Sequence, residues 1–123
     1  MINILEIKET KSTPYIKLDE SNGILEIRGR SGPVQAIVFY QPLIDALDHS
    51  LKEGKKLHTV NIALDFFNIS SSKCLFDIFK RIERMNNKDL VINWFFEPND
   101  IDMLEAGEDF ASTFNLSFNY QEA

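Results

Sequence analysis

Leu57-His58-Thr59-Val60-Asn61-Ile62-Ala63-Leu64-Asp65-Phe66-Phe67, followed directly by Asn68-Ile69-Ser70-Ser71-Ser72-Lys73, is the stretch on which the fold class turns. Val60, Ile62, Leu64 and Phe66 alternate, and the segment closes in a continuous apolar stretch, which reads as a central buried strand. Ser70, Ser71 and Ser72 then supply side-chain oxygens that can accept from the unpaired N–H groups of a helix start. Beyond them Leu75, Ile78, Phe79, Ile82 and Met85 recur at spacings of three and four, one apolar helical face that Asn86-Asn87 terminates. A strand running straight into a helix predicts a crossover to a parallel neighbour.

Outward from this unit the pattern repeats. Leu90 to Phe96 reads as a second buried strand, and Asp100 opens a third helix. Asp100 and Asp102 in its first turn complement the helix dipole, with Met103, Leu104, Phe110 and Phe114 turned inward. Leu116, Phe118 and Tyr120 alternate as a last strand. Upstream, Pro42 fits the first position of a helix whose face is Leu43, Ile44, Leu47 and Leu51, with Gly54 as its cap. Gln35 to Tyr40 suits either a strand or a short helix.

The first third reads as strands. Ile2, Ile4, Leu5 and Ile7 form one apolar run; Tyr15, Ile16 and Leu18 follow a Thr13-Pro14 break. Ser21-Asn22-Gly23 is a turn signal before Ile24, Leu25 and Ile27, so these last two segments should pair as an antiparallel hairpin. Gly29, Gly32 and Pro33 punctuate the loop that follows. The expected class is α/β: a mixed β-sheet with an N-terminal antiparallel hairpin and parallel central strands, helices packed on the sheet, in one domain over residues 1–123.

Composition narrows the function. With 44% hydrophobic residues and ten Phe the chain can bury a core unaided. Its net charge of −6 disfavours nucleic acid and anionic membrane as partners. No run approaches the ~20 apolar residues of a membrane span, and Met1 to Lys8 lacks the pattern of a signal peptide, so a cytoplasmic location is expected. The one cysteine, Cys74, excludes an internal disulfide; neither His49 nor His58 stands at metal-ligand spacing from it, and no metal or other cofactor is expected.

Three features could carry chemistry. Glu97, Asp100, Asp102, Glu105, Glu108 and Asp109 form an acidic segment that does not match a calcium loop and lies on one helix with its leading loop. It reads as a solvated face or a dock for a basic surface, and the alternative is a small-molecule or enzymatic site built on Glu97 to Asp109. Cys74, in the first turn of a helix, reads as a packing residue. The third is Asn68 to Lys73, at the strand-to-helix edge where open α/β sheets place ligand and partner sites. A phosphate there would gain from helix-start N–H groups and the dipole. No catalytic constellation or phosphate loop is apparent, so binding is expected in place of catalysis.

Several short elements together resemble one family. They are Thr13-Pro14; Gly29-Arg30-Ser31-Gly32-Pro33 with Phe39-Tyr40-Gln41-Pro42-Leu43; Phe67 to Lys73; and Trp94 with Asp100 to Phe110. In order and spacing they resemble the SiaC family of bacterial regulatory phosphoproteins, whose fold is similar to STAS domains such as anti-sigma factor antagonists. The resemblance implies a non-enzymatic protein that a protein kinase phosphorylates and a PP2C-type phosphatase restores. Its unphosphorylated form binds and activates a diguanylate cyclase, raising cyclic-di-GMP. The family's phosphorylated Thr falls at Ile69, which has no hydroxyl, and its Pro-Glu-Asn reads Pro33-Val34-Gln35. The switch is then either absent, leaving a partner-competent state, or moved to Ser70. The expected partner-binding residues are Asn68, Ile69, Ser70, Ser71 and Lys73.

Overall fold

The computed structural model describes residues 4–123; Ile2, assigned to the first strand, lies outside them. The elements are β1 (Ile4–Ile7), β2 (Tyr15–Asp19), β3 (Ile24–Ser31), α1 (Ala36–Lys52), β4 (Thr59–Phe67), α2 (Ile69–Arg84), β5 (Val91–Phe96), α3 (Ile101–Thr113) and β6 (Ser117–Glu122). All six strands form one sheet in sequence order. β1 to β3 are antiparallel, and β3 to β6 are parallel. Each parallel step is a crossover between adjacent strands. Right-handed crossovers in sequential order place all three helices on one face of the sheet.

The register explains which residues form the core. Leu5, Leu18, Leu25, Val60, Ile92 and Phe118 fall in one row across the six strands; Ile7, Ile16, Ile27, Ile62, Trp94 and Tyr120 fall in the next. These rows lie under the helices, and their central members are almost wholly buried. The row between them, Glu6, Lys17, Glu26, Asn61, Asn93 and Asn119, points to the uncovered face. There the amides form a ladder: Asn93 Nδ2 donates to Asn61 Oδ1 at 2.8 Å, and Asn119 Nδ2 donates to Asn93 Oδ1 at 3.3 Å.

Three expectations need correction. β4 and β5 are central but covered on one face only, so alternation and not a continuous apolar run is their governing pattern. It breaks between Gly29 and Arg30, where the register shifts and Phe66 turns outward under the Arg30 guanidinium, 4.2 Å from its ring centre. Pro42 is not the first residue of α1 but lies inside it. The helix starts earlier because Ala36, Tyr40, Leu43, Leu47 and Ser50 form an inward stripe at helical spacing. The Val38 carbonyl, left without a donor by the proline, belongs to an exposed residue that water can reach. Third, Asn68, and none of the three serines, caps α2: its Oδ1 accepts from the Ser71 N–H at 2.8 Å.

The other caps follow the sequence. α1 ends with the Gly54 N–H donating to the Leu51 carbonyl and the Lys55 N–H to that of Ser50, and Gly54 takes a φ of +69°. Asp100 caps α3 through Met103 N–H at 3.0 Å. Trp94, fully buried, donates from Nε1 to the Met103 carbonyl at 2.9 Å and so ties α3 to the sheet.

Candidate functional site

The carboxyl ends of β3, β4 and β5 feed α1, α2 and α3, so all three helix starts gather at one edge of the sheet. α2 begins there at Ile69, and Asn68 fastens it to the loop after β3. The Asn68 N–H donates to the Ser31 carbonyl at 2.9 Å, and its side-chain Nδ2 donates to the Pro33 carbonyl at 3.1 Å. With Oδ1 on Ser71, the Asn68 side chain is committed on both sides. It builds the site and has little left to offer a partner.

Beneath it lies a buried hydroxyl chain. Ser31 Oγ sits 2.6 Å from the Tyr40 hydroxyl and donates to Ser71 Oγ at 2.8 Å; Ser71 Oγ donates to the Ser31 carbonyl at 3.2 Å. Each hydroxyl has one proton, so Tyr40 is the donor to Ser31. Ser71, expected among the partner-binding residues, is 0% exposed. It cannot touch a partner, because its hydroxyl closes this chain and holds α2 against α1 and the β3 end from within. Sequence reasoning missed Ser31 and Tyr40, since each lies far from Ser71 in the chain.

Burial pushes the Tyr40 phenol up to about 12, the Ser31 hydrogen bond acting weakly the other way. The folded state therefore keeps a proton that the unfolded chain releases near pH 10, and stability falls as pH rises from 10 towards 12. At no more than about 1.4 kcal/mol per pH unit, the loss reaches roughly 2 kcal/mol by pH 12. Denaturant melts of the native protein and Tyr40→Phe across this window should differ by that slope, because the variant retains the other tyrosines.

The residues facing outward are of another kind. Ile69 is 80% exposed at the first position of α2, and Ser70 and Lys73 are exposed beside it. Ser72 is half-buried. Val34 is 99% exposed in the adjoining loop, Ile37 and Val38 lie bare on the first turns of α1, Ile101 opens α3 and Phe66 ends β4. Among the described residues, six of the ten exposed large hydrophobic ones thus lie at this edge. Among the described residues it is the main concentration of such side chains, and exposed apolar patches of this kind mark interaction surfaces. The signal was present in Ile37-Val38, which fall off the inward stripe of α1.

The other candidates lie apart. Asp100 caps α3, while Glu97, Asp102, Glu105, Glu108 and Asp109 are exposed. The hollow of about 260 Å³ that includes Asp100 and Asp102 is also lined by Asp65, Phe66, Phe67, Met103 and Ala106, and neither Asn68 nor Ser70 lines it. Asp65, Asp100 and Asp102 thus stand around an apolar floor, and Glu97 does not line the hollow. Cys74 is buried, and burial followed by Asp77 raises its thiol, which suits packing. His58 bonds Asn87 at the opposite, amino edge; His49 pairs with Glu53 near the end of α1. A larger hollow of about 620 Å³ also lies at the amino edge, among Glu83, Asn86, Asn87, Lys88 and Asn115.

Comparison with known proteins agrees with this geometry. A sequence model of the SiaC family of regulatory phosphoproteins matches residues 7–123. An uncharacterized protein of Pseudomonas aeruginosa (strain UCBPP-PA14) is 26% identical over 119 residues, 95% of this chain and 94% of that one. The crystal structure of apo-SiaC from Pseudomonas aeruginosa is similar with a TM-score of 0.87 and 26% identity, over 96% of this chain and 98% of that one. A chain in the crystal structure of the diguanylate cyclase SiaD in complex with its activator SiaC, from the same organism, is similar with a TM-score of 0.87 and 25% identity, over 97% and 99% of the two chains. With sheet order, helix placement and the family sequence pattern shared over nearly its whole length, the chain belongs to the SiaC family of regulatory phosphoproteins.

Proposed function

We propose that this chain is a non-enzymatic, cytoplasmic module of bacterial signalling that docks a diguanylate cyclase and raises its production of cyclic-di-GMP. The unit that does this spans residues 1–123. The observation that carries the reading is the apolar surface at the carboxyl edge, centred on Ile69, 80% exposed at the start of α2. Support comes from Pseudomonas aeruginosa SiaC, the activator in a complex with the cyclase SiaD. Ile69, Ser70 and Lys73 make the contact, while Asn68 and Ser71 hold the helix start in place. The test is direct. Purified diguanylate cyclase of the same genome is assayed for cyclic-di-GMP with and without the protein. A rise in rate supports the reading, and no change at saturating protein contradicts it.

Regulation then falls to Ser70. Ile69 has no hydroxyl and Ser71 is sealed, whereas Ser70 is exposed in the first turn of α2, where a phosphate gains from the dipole. A protein kinase would act there and a PP2C-type phosphatase would reverse it, each adding or removing about two negative charges beside Ile69. Phosphopeptide mass spectrometry after incubation with the cognate kinase and ATP should place the phosphate on Ser70, and Ser70→Ala should remove it. A native protein that takes no phosphate is a constitutive binder.

A further inference from the structure

α2 and α3 lie side by side on the sheet but leave a trough between them. Three hollows follow one another along it. The first, about 260 Å³, opens at the carboxyl edge and shares Phe67 and Ala106 with the second, about 200 Å³. The second shares Ser72, Phe76 and Phe110 with the third, about 380 Å³. The floor is therefore aromatic, and Phe66, which lines the first hollow, also belongs to the apolar carboxyl edge. Phe76 stays 40% exposed although its ring centre lies 4.9 Å from that of Phe114.

The rim is acidic. Asp65, Asp100 and Asp102 border the first hollow, Asp109 the second and Asp77 the third; among the described residues Lys73 is the one cation lining any of them. Among the described residues none of these five aspartates forms an ion pair. Among the described residues every carboxylate that does pair comes from the first 53 positions. The trough thus offers an apolar floor and unanswered negative charge along its walls.

We infer that this trough receives an amphipathic helix of the protein partner, with an apolar stripe against Phe67, Ala106, Phe110 and Phe76 and Lys or Arg flanks facing the aspartates. The inference rests on the reading of the carboxyl edge as a protein dock and adds the chemistry of what docks. An apolar helical stripe laid in a groove supplies affinity, and opposite charge along the rim supplies orientation and rate.

The probe is a fluorescent 18-residue Leu/Lys peptide patterned as an amphipathic helix, with a Leu/Glu peptide of the same pattern as its control. Binding is followed by anisotropy and by amide shifts of the labelled full chain. The Leu/Lys peptide should bind, move the amides of Ser72, Phe76, Ala106 and Phe110 most, and weaken with salt. The variant Asp102→Lys/Asp109→Lys, altered only at exposed positions, should bind it at least about tenfold more weakly. Equal binding of both peptides, unchanged binding by the variant, or shifts confined to the open sheet face would overturn the inference. Capture of the cyclase by the native protein is scored in parallel. Capture without peptide binding in the trough removes this inference and leaves the dock standing. Absence of capture removes the cyclase reading by itself.

Discussion

Ile69→Glu is expected to weaken association with the proposed partner cyclase by about thirtyfold or more, because on the proposed docking a charge replaces the apolar centre of the contact and a central contact residue is worth about 2 kcal/mol or more. The fold should not register the change. Ile69 is 80% exposed, so little packing is lost, and exposed substitutions of this kind stay within about 0.5 kcal/mol. A carboxylate in the first turn of α2 even interacts favourably with the helix dipole. Thermal melts of the variant should therefore overlay the parent while affinity falls, which separates docking from stability. Ile69→Thr makes a second comparison: it removes apolar area but supplies a hydroxyl at the position where the resemblance implies a phosphorylated Thr. It should retain most of the affinity until a kinase modifies it.

Gly107→Ala should lower stability by roughly 1–2 kcal/mol, although helix propensity alone favours alanine by about 1 kcal/mol. The reason is the indole beneath it. A methyl group at Gly107 would stand 2.6 Å from Trp94 Cδ1 and Nε1 and 2.8 Å from Cε2. Trp94 is 0% exposed and held by its hydrogen bond to the Met103 carbonyl, so it cannot step aside. α3 must lift from the sheet instead, disturbing the Trp94–Phe110 contact at 5.8 Å between ring centres. Gly107→Val, bulkier and β-branched, should cost several kcal/mol and expose the aromatic cluster. Chemical denaturation checks the sign. If Gly107→Ala is more stable than the parent, the close packing of α3 on Trp94 is wrong. In the Trp94→Phe background the penalty should shrink, since residues in contact do not behave additively.

The same pair shows how far the sequence could be read. Trp94 and the acidic run Asp100 to Asp109 stand out together as one element of the family pattern, and the run reads as a solvated face or a dock for a basic surface. In the fold Asp100 is a helix cap, Gly107 is a packing requirement of Trp94, and the remaining acids face solvent. Local rules were enough for most of the architecture. The hairpin of β2 and β3, the parallel order, and the inward faces of α2 and α3 all follow from period and turn signals. What escaped was tertiary. Phe66 reads inward by alternation, but a register shift at Gly29 and Arg30 turns it out, and no local pattern marks that shift. Gln35 to Tyr40 suits either a strand or a short helix by local pattern, and only the need of Ala36, Tyr40, Leu43 and Leu47 to reach the core together makes it helix.

The candidate site divides in the same way. Its place at the start of α2 was legible, because strand, serines and helix adjoin in the chain. Its internal division of labour was not. Ser70 and Ser71 look alike in sequence, but one is exposed and the other closes a buried hydroxyl chain with Ser31 and Tyr40. Val34, Ile37 and Ile101 join Ile69 only because β3, β4 and β5 end at one edge.

Hydrogen exchange by mass spectrometry on the protein alone and in complex with the diguanylate cyclase tests the docking edge most directly. The account predicts slowed exchange in peptides covering residues 32–38 and 68–76, with little change at the amino edge. Protection confined to the amino-edge hollow around Asn86 to Lys88 and Asn115, with residues 68–76 unaffected, would contradict it.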